Sequence, residues 1–279
     1  EGGISLRINE YFKPSNLEQA YNVLKDKNAT IIGGGAFLRI SSKRIKSALD
    51  LSNLELDFIE DKKDRIEIGA MTTLREIEQN EALKNNFNGV ISKATAVIMG
   101  VQFRNVATIG GSVAGRYGFS DIITPLLSLN TFVDLYKGGK VTLEEFLETK
   151  GKLNDILVKI IIMKDDRKAS FQYVKNTSTD FSMLNASASN IDNDFKISVG
   201  ARPGSAKVPK KALEFLKKSK LDKESAIKAS EIASEELNFG SDIRGSKEYR
   251  KELCKALVKR AILERSEEHT SELQSPSGS

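Results

Sequence analysis

The sequence predicts an α+β fold: a two-part β/α region over residues 1–165, followed by a C-terminal α+β layer over 166–265. Three observations predict it. Capped helices alternate with short apolar or period-two strands up to about residue 165. Beyond that point three strand patterns come first and three helical patterns after, as in a three-stranded sheet covered by helices. Two glycine clusters, Gly33-Gly34-Gly35 and Gly110-Gly111, punctuate the first region.

The elements follow in order. Ser15 with Glu18 forms an S-x-x-E capping box, and Leu17, Ala20, Tyr21 and Leu24 then fall at helical spacing. Ala29–Ile32 reads as a short buried strand running into the first glycines, and Ser47–Leu51 as a second strand; these close a first lobe at about residue 54. The second lobe, 55–165, opens with the alternating strand Arg65–Ala70. Thr73 with Glu76 caps a helix, and residues 88–99 are apolar enough for a buried one. Ser120 is the expected cap of a helix over 120–129, and strands follow at 131–136 and 155–163. In the C-terminal layer, strands are expected at 169–175, 183–190 and 195–201, with helices from about 209, 223 and 246. Residues 266–279 carry no Lys, no Arg and few apolar side chains; they are expected to be a non-native or disordered tail.

Composition excludes several classes of function. The chain has 279 residues, a net charge of +5, one Cys and one His. One Cys excludes a disulfide framework, a Cys-ligated zinc site and an iron–sulfur cluster held by this chain alone. One His excludes a His-His zinc motif, and its place in the tail, His269, separates it from Cys254. Lysines interspersed with acids, as in Lys217–Glu224, read as a solvated helix face, not a nucleic-acid surface. No stretch approaches the roughly 20 apolar residues of a transmembrane helix. The N-terminus shows no signal-peptide pattern, and a cytoplasmic location is expected.

The glycine clusters carry the chemistry. Glycine accepts positive φ and has no Cβ, so a ligand can approach the backbone and successive amides can converge on an anion. The first cluster is not a P-loop, for no Gly-Lys-Ser/Thr follows. Nor is it a G-x-G-x-x-G fingerprint, since Leu38 stands where the third Gly belongs. By itself it also reads as a tight turn. In the second cluster Thr108 and Ser112 add hydroxyls to the glycine amides, and Asp121 adds a carboxylate able to accept from a ribose. Asp121 alone also reads as a first-turn helix carboxylate, and Arg104 as a surface or strand-end cation. Two anion cradles suit a dinucleotide with a diphosphate at its middle.

The run Gln102-Phe103-Arg104-Asn105-Val106-Ala107-Thr108-Ile109-Gly110-Gly111 is similar to the Q-x-R-N-x-A-T-I-G-G of the FAD-binding middle subunits of the molybdenum hydroxylases, the xanthine dehydrogenase and carbon monoxide dehydrogenase family. Ile32–Leu38 resembles that family's A-G-G-T-D-L-L loop, and Tyr11-Phe12-Lys13-Pro14 with Leu17–Ala20 also fits. The resemblance implies a two-lobed FAD-binding domain of vanillyl-alcohol-oxidase type with a C-terminal α+β domain. It implies FAD contacts at Ile31, Ile32, Gly33, Gly34, Gly35, Ala36, Phe37 and Leu38 in the first lobe. In the second lobe it implies Thr108, Gly110, Gly111, Ser112 and Asp121. It further implies an apolar flavin contact at Ile98, a contact at Leu157 and a contact at Lys175, which also reads as an ordinary strand-end lysine. Three departures affect side-chain contacts: Gly35-Ala36 replaces Thr-Asp, Ser112 replaces Asn, and Gly115–Ser120 replaces a Ser-Pro loop.

No nucleophile–base pair or metal set is present, so the cofactor would carry the chemistry and no catalytic residue is named. Tyr117 and Phe119 are candidates for stacking on the flavin, or for simple packing. The resemblance implies partners: a molybdopterin-binding large subunit and a small 2Fe-2S subunit, whose electrons pass through FAD to NAD or another acceptor. Two alternatives stay open, an assembly subunit that has lost FAD and a free-standing flavin oxidase.

Overall fold

The computed structural model describes residues 6–39, 44–192 and 194–273; the side chains of Phe37, Arg39 and 265–273 lie outside the described residues. In chain order the elements are β1 Arg7–Phe12, α1 Leu17–Asp26, β2 Thr30–Ile32, α2 Ala36–Arg39, β3 Arg44–Asp50, β4 Ile59–Asp61, β5 Arg65–Gly69, α3 Leu74–Gln79, α4 Glu81–Asn85, α5 Val90–Ala96, α6 Val101–Arg104, α7 Ile109–Ala114, α8 Ile123–Leu127, β6 Thr131–Leu135, β7 Gly139–Thr142, α9 Leu143–Glu148, β8 Leu157–Met163, β9 Lys168–Val174, β10 Leu184–Ile191, β11 Asp194–Gly200, α10 Lys210–Lys217, α11 Lys223–Glu236 and α12 Lys247–Leu273. They form two compact units that do not follow chain order. The first holds Glu1–Asn80, Met99–Gly115 and Thr131–Met163; the second holds Glu81–Ile98, Arg116–Asn130 and Lys164–Ser279.

The first unit contains two sheets. One is parallel, in the order β1-β3-β2, with Tyr11 opposite Ala48 and Ile31 opposite Leu49. Its three-residue strand β2 is half-buried, not the fully buried strand expected. Ala20 and Leu24 of α1 pack with Leu49 and Ile156 in an apolar cluster. That helix is capped by Asn16, not by the expected Ser15: Asn16 is extended and accepts from Gln19 N at 2.9 Å, while Ser15 bonds the Gln19 side chain. The other sheet is antiparallel, β4-β5-β8-β6-β7, with Ile66 opposite Ile162 and Val133 opposite Ile160. Thr73 and Glu76 form the reciprocal cap the sequence predicts.

On β5 the Glu67 side chain is almost fully buried. Burial alone would raise its pKa. Hydrogen bonds from Lys159 at 2.7 Å and Arg65 at 2.5 Å, with Lys62 nearby, outweigh burial and hold the carboxyl at about 2. A depressed carboxyl contributes stability that is complete above its unfolded value and is lost as pH falls towards the folded one. Glu67→Gln is therefore expected to flatten the acid limb of the unfolding curve between pH 4.5 and about 2. A variant with the parent's acid profile would show that the cluster is solvated.

The second unit is built on the antiparallel sheet β11-β10-β9, with Ala186 opposite Val199 and Gln172. One face carries Leu184, Ala186, Ala188, Ile197 and Val199, and α10, α11 and α12 seal it. Cys254 lies there fully buried, its thiol pushed up to about 12 by burial and so unreactive at neutral pH. The opposite face is also covered. Asn185, Ser187 and Ser189, all 0% exposed, meet α8: Ser187 bonds Ser128, and Ser198 on β11 bonds Thr124 O. Small polar side chains permit this close approach, and period-two alternation alone did not reveal it. The backbone of α12 stays helical through the segment set apart in the sequence, as far as Leu273; adding a turn to an existing helix is cheap. Residues 274–279 lie outside the described residues. No described helix is long and apolar enough to cross a membrane.

Candidate functional site

In the first unit the strand β2 delivers the chain into the first glycine turn. Gly34 and Gly35 take φ of +34° and +74°, and Gly35 N donates to Gly33 O, closing a tight bend before α2. The second cluster is not a turn. Thr108 is the N-cap of α7, accepting from Gly111 N at 3.2 Å, and Ile109, Gly110, Gly111 and Ser112 form its first turn. Two glycines are poor helix formers, so local propensity concealed this helix; the capping threonine was the available signal.

A backbone clip holds α7 in place. Thr73 and Thr108 form a bridge, Leu74 N donates to Ala107 O at 2.8 Å, Ile109 N to Thr72 O at 3.0 Å and Gly110 N to Ala70 O at 2.9 Å. A Cβ on Gly110 would stand 2.5 Å from Ala70 O, so the clip itself demands glycine there. With Ser112 N on Thr108 O, the amides from Ile109 to Ser112 are all engaged within the protein. The second loop therefore offers a bare, exposed Gly111, not open amides.

The two glycine segments adjoin. A Cβ on Gly33 would lie 2.5 Å from Thr108 Oγ1 and 3.6 Å from the Gly111 Cα and N; one on Gly34 would lie 1.6 Å from Val106 O. Both glycines are thus needed for the loops to touch. At Gly111 a Cβ would meet only Thr108 Oγ1, at 3.1 Å, so the outer side of Gly111 is open. That side fits a diphosphate in having no side chain in the way. The hydroxyls are committed inward: Thr108, 4% exposed, caps Gly111 N, and Ser112 Oγ donates to Thr108 O at 3.0 Å. Leu157, the first residue of β8, is buried in this unit. Ile31 and Ile32 lie on β2; Ala36, Phe37 and Leu38 lie on α2.

Arg104 of the Gln-x-Arg-Asn run is neither a surface nor a strand-end cation. It is 5% exposed and grips Glu78 twice, through Nε at 2.8 Å and Nη2 at 3.2 Å, while Nη1 donates to Met99 O. The residue thus pins α6 to α3 ahead of the Thr-Ile-Gly-Gly run.

The remaining sequence-predicted residues gather in the second unit. Asp121 is 3% exposed. Its Oδ2 pairs with Lys175 Nζ at 3.1 Å and its Oδ1 accepts from Asn185 Nδ2 at 2.7 Å. Lys175 also donates to Val97 O at 2.5 Å, next to the buried Ile98. With its carboxylate committed sideways, Asp121 does not serve a helix first turn. The helix α8 starts at Ile123 with no side-chain cap, and Ser120 only accepts from Ile123 N at 3.3 Å. Tyr117 and Phe119 stack on each other, centroids 5.2 Å apart, and Phe119 leans on Phe181 at 4.2 Å. Sequence reasoning missed Asn185, Thr124 and Glu78, each of which is defined by a partner distant in the chain. No group of three or more His, Cys, Asp or Glu able to hold a metal occurs among the described residues.

Comparison with known proteins gives two family matches. The FAD binding domain in molybdopterin dehydrogenase matches residues 6–163, and the CO dehydrogenase flavoprotein C-terminal domain matches 169–265. The nicotine 6-hydroxylase medium subunit of Paenarthrobacter nicotinovorans is 28% identical, over 91% of this chain and 96% of its own. Quinoline 2-oxidoreductase from Pseudomonas putida 86 contains a chain 26% identical to this one, with a TM-score of 0.79 over 92% of this chain and 96% of that one. CO dehydrogenase from Oligotropha carboxidovorans shares the fold, with a TM-score of 0.82 at 21% identity over 92% and 96% of the two chains.

Proposed function

The chain belongs to the FAD-binding family of the molybdopterin dehydrogenases, and from that premise we propose that it is the electron-transfer subunit of such a complex. Its cofactor is FAD, and it is an FAD-binding subunit of the molybdenum hydroxylase and CO dehydrogenase family. In that role electrons arrive from a 2Fe-2S subunit fed by a molybdopterin-binding large subunit, and leave to NAD or another acceptor. The three-part division at residues 54 and 165 belongs to the same proposal.

The observation that carries the reading is the meeting of the two glycine loops, with Gly33 against Thr108 and Gly111. Bound FAD supplies the redox chemistry. The chain's own residues do the rest. Gly33 and Gly34 bring the first loop onto the second, Thr108 and Ser112 tie off the first turn of α7 by capping Gly111 N and bonding Thr108 O, and the exposed Gly111 leaves the approach of a diphosphate clear. Arg104 holds the second loop's entry through Glu78.

The purified chain is expected to show flavin bands near roughly 370 and 450 nm, characteristic of the cofactor itself. NADH should bleach them with no other subunit present. Gly111→Val should remove the bands while the second unit stays folded, since Gly111 is exposed in the first unit and its Cβ position meets only Thr108 Oγ1. Colourless protein that takes up no added FAD would favour an assembly role. Bleaching by a small organic substrate alone would favour an oxidase. Retained flavin in Gly111→Val would place the diphosphate elsewhere.

A further inference from the structure

We infer that Asn185 is a positioning residue: from the sheet of the second unit it sets the pose of the Asp121–Lys175 pair and of the loop that enters Asp121. The side chain is 0% exposed and its amide is used on both sides. The Asn185 oxygen accepts from Thr124 Oγ1 at 2.7 Å. Its nitrogen donates to Asp121 Oδ1 at 2.7 Å and to Ser120 O at 3.1 Å. An amide flipped the other way would turn its oxygen on a carboxylate and a carbonyl, neither of which can donate. Those two acceptors therefore fix the orientation, and the Thr124 hydroxyl satisfies the oxygen on the other side, so that the amide is held from α8 as well as from Asp121.

The surroundings are shaped for this arrangement. In the β10–β11 register Asn185 lies opposite Gly200, and a Cβ there would stand 2.0 Å from Thr124 Oγ1 and 2.6 Å from the Asn185 oxygen. Glycine at 200 is what lets hydroxyl and amide meet above the sheet. On the far side Asp121 passes the constraint to Lys175, whose side chain is 5% exposed and whose second bond goes to Val97 O. The result is one relay, Thr124–Asn185–Asp121–Lys175, running from α8 through β10 to the end of β9. Every link is a buried hydrogen bond or ion pair, and such chains transmit a change in one member to the next. Asn185 touches no ligand in this scheme. It acts through Asp121 and Lys175, and the inference rests on the reading of those two residues as FAD-facing.

The test uses the full chain, loaded with and stripped of FAD. Asn185→Asp keeps the acceptor for Thr124 and replaces the donor facing Asp121 with a carboxylate oxygen; Thr124→Val removes the hydroxyl that satisfies the Asn185 oxygen and holds the amide from α8; Thr124→Ser keeps it. Two readouts are taken: FAD affinity by flavin fluorescence, and labelling of Lys175 by an amine-acylating reagent followed by mass spectrometry. Asn185→Asp is expected to weaken FAD about tenfold and to speed Lys175 labelling by a similar factor, the scale set by one unsatisfied buried donor or acceptor. Thr124→Val should move both readouts in the same direction by about fivefold, and Thr124→Ser should leave them within about twofold of the parent. Should Asn185→Asp fail to fold, the Thr124 pair decides alone. FAD affinity and Lys175 labelling in Asn185→Asp and Thr124→Val both within about twofold of the parent would overturn the role of Asn185. A parent chain that binds no FAD would overturn the reading beneath it, and the inference with it.

Discussion

Gly34→Ala is expected to abolish FAD retention. The new Cβ would lie 1.6 Å from Val106 O and 2.7 Å from Val106 C, both backbone atoms that cannot rotate away. Gly34 also has φ of +34°, a conformation that costs an alanine roughly 1–2 kcal/mol. The first loop has to lift off the second, at a combined cost of about 3 kcal/mol or more to the first unit. FAD affinity should fall by about 100-fold or beyond detection, because a displacement of about an ångström at a binding loop is enough for that. Gly100→Ala is the matched control. It has an ordinary negative φ and nothing within 4 Å of its Cβ position, and it should keep its flavin. Flavin titration with thermal unfolding checks both. A Gly34→Ala protein that binds FAD like the parent would show that the loops can part without loss of the site.

Lys175→Met is expected to destabilise the second unit by roughly 3–5 kcal/mol, the cost of leaving a buried carboxylate without its cation. Asp121 is 3% exposed, and only Asn185 would remain to serve it. For a unit of this size the loss corresponds to a fall of about 10 °C in melting temperature. Lys175→Met combined with Asp121→Asn should recover much of it, because the stranded charge is gone while an acceptor for Asn185 remains. Calorimetry on the three proteins measures this directly. A single variant that loses less than about 1 kcal/mol would mean that water reaches the pair.

Much of the fold was legible locally. Thr73 with Glu76, the strand at Arg65–Gly69 and the three strands ahead of three helices were all recognisable within windows of about ten residues, whereas the alternation that implied a half-buried strand hid that Glu67 is buried like its apolar neighbours. Helices were misjudged where their residues are weak helix formers, as in Ile109–Ala114, or where a neighbouring side chain took the cap, as at Asn16. The start of α8 was misplaced because the Asp121 carboxylate is drawn to Lys175 and Asn185 rather than to the helix.

Legible in the residues alone were the capped helices and main strands, the three strands ahead of three helices, the two glycine runs, the likeness to a family that binds FAD, and the exclusion of a disulfide framework and of Cys-ligated or His-His zinc sites from one Cys and one His. Folding alone reveals what those glycines face, that Arg104 belongs to Glu78 across 26 residues, and that Asp121 belongs to Lys175 and, across 64 residues, to Asn185. The physical reason is range. Periodicity, caps and turns are written in neighbouring residues, whereas the partner of a buried charge is chosen by strand pairing and packing, which bring together positions that no local pattern connects.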